Sequence, residues 1–190
     1  MKKESILVAV VALLAGVIIG WMLWQKSSAP SPAVAPAPVQ GAPPIVNAQQ
    51  RIDRIKAIVT SEPNNRSAWV ALGNEYFDAD RPVESVEAYQ KALDLDGNDP
   101  NVLTDQGVMF RRLGMYDRAI ANFIKASQID PGHVNSLFNL GIVYRYDVND
   151  FARASEAWNR FLALNPTGPG ADRARQELEF LNAHTPIGKP

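Results

Sequence analysis

Residues 69–76 read WVALGNEY, residues 103–110 read LTDQGVMF and residues 137–144 read LFNLGIVY, so glycine returns at 73, 107 and 141, each 34 positions after the last. Self-similarity at a fixed interval of this size is the mark of a stacked repeat. The same interval joins Tyr76, Phe110 and Tyr144; it also pairs Ser85 with Ala119, Tyr89 with Phe123 and Ala92 with Ala126. After one extra residue near 147–149 the series continues through Ala154, Trp158, Phe161 and Pro166, the last answering Pro131. Within a copy, apolar residues fall three and four apart, as in Trp69, Leu72, Tyr76 and then Val86, Tyr89, Leu93. That spacing predicts a pair of amphipathic helices in each copy. Asp80 with Pro82 reads as a helix start, and Asp96-Gly97-Asn98, Pro131-Gly132 and Asn165-Pro166 read as ends. A glycine inside a helix costs about 1 kcal/mol against alanine, so its regular return predicts a helix contact too close for a side chain.

These residues resemble the tetratricopeptide repeat (TPR) family, whose pattern runs Trp-x2-Leu-Gly-x2-Tyr, then Ala-x3-Phe, then Pro. Trp69, Leu72, Gly73 and Tyr76 answer it in the first copy. The second keeps Gly107, Phe110, Gly114, Tyr116, Ala119, Phe123, Ala126 and Pro131, with Gln106 where leucine is usual. The third keeps Leu140, Gly141, Tyr144, Ala154, Trp158 and Pro166, with Phe161 where the family has alanine between crossing helices. The resemblance implies an all-α helix-turn-helix solenoid of three repeats, at 66–99, 100–133 and 134–168. Helical spacing of Ile52, Ile55, Ile58 and Val59 predicts an N-terminal capping helix within 45–65. Ala174, Leu178 and Leu181 predict a second one at the start of 169–190. Both are expected to cover the apolar ends that a stack leaves bare.

Ahead of the repeats, residues 6–24 read ILVAVVALLAGVIIGWMLW without a charge. As a helix this stretch spans about 28 Å, which predicts a transmembrane helix. A cleaved signal peptide is the rival reading, but Pro30 follows the best small-residue site, Ser27-Ser28-Ala29, and disfavours cleavage. Lys2 and Lys3 precede the span and Lys26 alone closely follows it, so residues 1–5 are expected to be a cytoplasmic tail and the bulk to face outward. The expected location is therefore a single-pass inner (cytoplasmic) membrane anchor with the repeat domain in the periplasm or outside. Ala12, Gly16 and Gly20 recur every four residues and form a candidate self-association face in the membrane. Residues 25–44 are a Pro/Ala-rich linker, with six prolines between positions 27 and 44, biased to extended polyproline II.

The net charge of −1 offers no field to gather a polyanion, so nucleic acid is not expected as a partner. With no cysteine the chain has no disulfide framework, thiolate metal site or thiol nucleophile. His133 and His184 stand 51 residues apart without a hydrolytic motif. Asp94-x-Asp96-x-Asn98 lacks the glycine of a calcium loop, since Asp99 stands in its place. No catalytic residue, metal or cofactor is expected, and the chain is read as a binding protein rather than an enzyme.

The resemblance implies that the first helix of each pair lines a concave groove. By that implication the inward residues are Val70, Asn74, Phe77 and Asp78; Thr104, Asp105, Val108, Arg111 and Arg112; and Phe138, Asn139, Ile142, Arg145 and Tyr146. Asn74, Phe77, Arg111, Phe138, Asn139, Arg145 and Tyr146 are the candidates for gripping a protein or peptide partner. A carboxamide can donate to and accept from a peptide bond, arginine can hold a carboxylate through two parallel bonds, and aromatic rings anchor a bound segment. Charge is uneven, with eight acidic residues between Glu75 and Asp99 and a cluster of Arg111, Arg112, Arg118 and Lys125 after it. The layout is similar to the TPR accessory subunits of bacterial cytochrome c maturation, which implies a scaffold or assembly factor of the cell envelope. The competing expectation is a homo-oligomeric platform of a secretion, pilus or division complex.

Overall fold

The computed structural model describes residues 47–184, and all regular structure in that range is helical. The expected tail, the membrane helix at 6–24 with its Ala12, Gly16 and Gly20 face, and the linker at 25–44 lie outside the described residues. No helix among the described residues is long and apolar enough to cross a membrane. The helices are α1 (Ala48–Ser61), α2 (Arg66–Asp78), α3 (Pro82–Leu95), α4 (Pro100–Arg112), α5 (Tyr116–Ile129), α6 (Val134–Ile142), α7 (Phe151–Leu164) and α8 (Pro169–His184). A π-helical turn, Val143–Asp147, extends α6. Three hairpins result, α2 on α3, α4 on α5 and α6 on α7, and each packs on the next through α3 with α4 and α5 with α6. Of the two flanking helices, α1 packs on α2 and α8 on α7.

Local chemistry starts the helices. Asn47, Asn65, Asp99, His133 and Asp150 each accept a backbone N–H of the first turn of α1, α2, α4, α6 and α7, satisfying donors that a helix end leaves unpaired. Pro82 and Pro100 occupy first-turn positions, where a missing N–H costs nothing. The glycines at 73, 107 and 141 sit where an aromatic ring of the second helix crosses the first. A Cβ at Gly107 would lie 2.6 Å from Cε1 of Phe123, and one at Gly73 or Gly141 would fall against the ring of Tyr89 or Trp158. The close approach inferred from the spacing is thus a glycine-on-ring contact repeated in every hairpin.

The turn inside each hairpin needs a left-handed residue, supplied by Asp80 (φ 53°), Gly114 (φ 72°) and Asn149 (φ 57°). In the first two hairpins the N–H after that residue reaches back five positions, Arg81 to Tyr76 and Met115 to Phe110. In the third, Asp150 reaches back six, to Tyr144. The inserted residue is therefore absorbed as the π turn, and the register of α7 against α6 survives it.

Two departures from the family pattern are resolved by packing. Gln106 is buried to 1% exposure and fully bonded: its Nε2 donates to the Val86 carbonyl (3.1 Å) and to Gln90 Oε1 (3.3 Å), and its Oε1 accepts from Asn122 (2.8 Å). One amide thus ties α3, α4 and α5 together. Phe161 is buried against Phe138 at 5.1 Å between ring centroids, and it fits because Gly170 faces it across the joint. The core runs continuously from α4 to α8 through Phe110, Phe123, Leu137, Trp158, Phe161 and Leu181, with further clusters around Ile52, Leu72 and Tyr76 and around Tyr89 and Met109. In α1, Ile52 and Val59 are buried, whereas Ile58, expected on the buried side, is 41% exposed.

Candidate functional site

The expected groove residues divide into two groups. In the first, Asn74, Phe77 and Asp78 of α2, Tyr89 of α3 and Asp105 of α4 line a cleft of about 250 Å3. The Tyr89 hydroxyl donates to Asn74 Oδ1 at 2.8 Å, which fixes the carboxamide and leaves its Nδ2 facing the cleft as a donor with no partner among the described residues. Burial pushes the Tyr89 phenol well above its usual range, with the nearby Asp105 charge adding to the effect. Burial likewise raises the Asp105 carboxyl to about 6, and the charge of Asp99 raises it further. Among the described residues no cation or hydrogen-bond donor meets Asp105.

The second group lies toward α8. Arg145 is 16% exposed and packs its guanidinium between ring faces, 4.9 Å from Phe151, 4.6 Å from Phe180 and 5.4 Å from Tyr146. It also faces Glu177 at 3.9 Å, while its Nε is buried without a hydrogen bond. The Tyr146 hydroxyl donates to the same Glu177, which pushes the phenol upward. Phe138 packs on Phe161, with the Arg173 guanidinium 5.9 Å from its ring. Asn139 is half-buried and donates to the Asn135 carbonyl of its own helix.

Between the groups the arginines are engaged internally. Arg111 makes a two-pronged contact with Asp147, whose position depends on the π turn. Arg112 pairs with Asp80 at 2.7 Å and lies over the Phe77 ring at 4.9 Å. Neither presents a free fork for a partner's carboxylate. Thr104, expected to face inward, is instead 4% exposed and bonded to His133 Nδ1. Val70, Val108 and Ile142 pack against the core clusters rather than standing out from them.

Tyr89 and the α8 side chains Arg173, Glu177 and Phe180 were missing from the sequence-based set. Tyr89 is a buried landmark of the repeat pattern, and nothing in the residue order reports that it also lines the cleft. The α8 residues follow the register: adding 35 to 138, 142 and 145 gives 173, 177 and 180, so α8 stands as a further first helix as well as a cover. The acidic segment after α3 has a local use, since Asp96 accepts the Asn98 N–H and Asp94 accepts from Gln90. Among the described residues no group of three or more His, Cys, Asp or Glu side chains could hold a metal ion. A larger cleft of about 690 Å3 lies on the opposite side, between α1 and α3 over Trp69, Leu72 and Tyr76, with both signs of charge on its rim.

Tetratricopeptide repeat family models match residues 67–99 and 101–133. The cytochrome c-type biogenesis protein CycH of Pseudomonas aeruginosa is 27% identical over 131 residues, covering 66% of this chain and 31% of CycH. The chain thus spans under a third of that relative's length. Among solved structures, MamA superposes with a TM-score of 0.68 at 22% identity, over 72% of this chain and 77% of that one. YrrB, described as a TPR protein with an unusual peptide-binding site, superposes with a TM-score of 0.63 at 23% identity, over 68% of this chain and 66% of its own.

Proposed function

The chain belongs to the tetratricopeptide repeat family, and on that premise we propose that the face of its first helices docks an extended segment of a partner protein. In this reading residues 6–24 anchor the chain in the cytoplasmic membrane and the linker at 25–44 holds the repeats on the outer side. There they act as a scaffold or assembly factor of the cell envelope. The relation to CycH favours cytochrome c maturation as the pathway.

The observation that carries the reading is the cleft between α2 and α4. It stays open in a well-packed domain, and it sets a fixed carboxamide beside the half-buried Phe77 ring. A peptide bond offers one donor and one acceptor, and a held carboxamide meets it without losing side-chain freedom on binding. The peptide-binding site named for YrrB supports the same use of the fold.

A photocrosslinking residue at position 77 of the full chain in intact membranes tests the proposal. It is expected to trap a defined partner that the same probe at Lys91, on the far side, does not trap. Equal trapping from both positions would remove the face from the account. For the pathway, purified full-length chain is expected to retain haem-free cytochrome c over the haem-loaded protein; equal retention would separate the module from cytochrome c maturation.

A further inference from the structure

The charges on the first-helix face are not all spent alike. Its cations nearest the cleft are engaged from within, Arg111 by Asp147 and Arg112 by Asp80; toward α8, Arg145 faces Glu177, while Arg173 has no ion pair among the described residues. Two carboxylates in the open cleft, those of Asp78 and Asp105, have no ion pair among the described residues. The charged and titratable groups around Asp105 are accounted for in turn. From α2 come Asp78 and Arg66, the latter bound to Asp99; from α3 comes the neutral phenol of Tyr89; from the end of α4, Arg112 lies over the Phe77 ring and pairs with Asp80. Asp99 caps the helix that carries Asp105, and His133, the cap of α6, is taken up by Thr104 and Asn101. Asp78 contributes to the field at Arg51, which Glu75 holds. Desolvation without a counterion is a standing cost, and it is relieved when a cation enters.

Resting on the docking function above, we infer that the segment accepted by this face carries a lysine or arginine whose charged end enters the cleft between Asp78 and Asp105. The aliphatic stem of that side chain would lie beside the half-buried Phe77 ring, which it would share with the Arg112 guanidinium. The Asn74 amide would bond the partner's backbone beside it. A partner that ends in a free carboxylate is the wrong charge for this cleft, because no cation lines it among the described residues.

The test is a selection of random dodecapeptides displayed on phage against the full 190-residue chain in detergent micelles, run in parallel on wild type, Asp105→Asn and Asp78→Asn. Wild type is expected to enrich lysine or arginine at one position. Asp105→Asn is expected to abolish that enrichment with an unchanged helical circular dichroism spectrum. Asp78→Asn, an exposed change that cannot disturb packing, is expected to weaken it about threefold. With the Asp105 carboxyl at about 6, a selected peptide should bind about tenfold more weakly near pH 5 than near pH 7.5. Asp105→Asn should show no such pH dependence. Recovered peptides without a basic preference, or a preference that survives both substitutions, would overturn the inference and leave the docking face standing. Recovery of no peptide that competes at Phe77 would sink both.

Discussion

The two ends of the first-helix face are built from the same register positions and have opposite characters. Around Asn74 and Asp105 the cleft is open, its carboxylates unmatched and its carboxamide held ready. Around Arg145 the equivalent surface is closed by α8, with the guanidinium stacked among three rings and facing Glu177. Arg145 is therefore engaged within the domain, whereas Asn74 lines an open cleft. The contrast teaches that a repeat position carries no function of its own; what the next helix brings to it decides whether it stabilises or binds.

Four substitutions would break or sharpen this contrast. At the closed end, Phe161→Ala empties a joint filled by Phe138 and Gly170; it should cost about 4 kcal/mol in urea unfolding of the full chain. A loss under about 1 kcal/mol would mean that α8 is not held by that ring. Arg145→Ala removes the ring stacking and takes the cation away from the half-buried Glu177, which keeps only the Tyr146 hydroxyl; a destabilisation of about 2 kcal/mol is expected, with little change in partner capture. Lost capture at unchanged stability would instead move Arg145 to the binding side.

At the open end, Asp105→Asn should stabilise. The folded pKa of about 6 lies above the ordinary 3.8, so the folded state holds the proton more tightly. Stability contributed by this group is then present at low pH and lost as pH rises through about 6. The substitution should therefore raise stability by about 1 kcal/mol near pH 8, after discounting for partial exposure, and do nothing near pH 4. Thermal melts across that range check the sign; a variant less stable near pH 8 would show a hidden counterion. Asn74→Ala should cost about 1 kcal/mol, because the exposed carboxamide is the acceptor of the hydroxyl of Tyr89, a residue only 1% exposed. Its effect should appear in capture of the partner, and intact capture would take Asn74 out of the site.

Much of the fold was legible because glycine and aromatic residues report on a contact that recurs. Gly73, Gly107 and Gly141 face Tyr89, Phe123 and Trp158, and each pair lies 16 or 17 residues apart in the same hairpin, so a linear pattern records a spatial one. The site was legible in part. Asn74 and Phe77, both named from the repeat register, line the cleft. The engagement of Arg111 by Asp147 could not be read, because it crosses 36 residues and depends on the π turn. Burial of Thr104 escaped for a similar reason: His133, the cap of the following helix, covers it.

From the residue order alone came three helical hairpins in tandem, their glycine contacts, the extra residue in the third, and the helices that flank them. These follow from periodicity and local capping, which act over a few turns of chain. Only the packed structure decided which charges on the first-helix face are matched and which stand open. A charge is settled by whatever the fold brings within a few ångströms of it, and those neighbours come from helices far away along the chain.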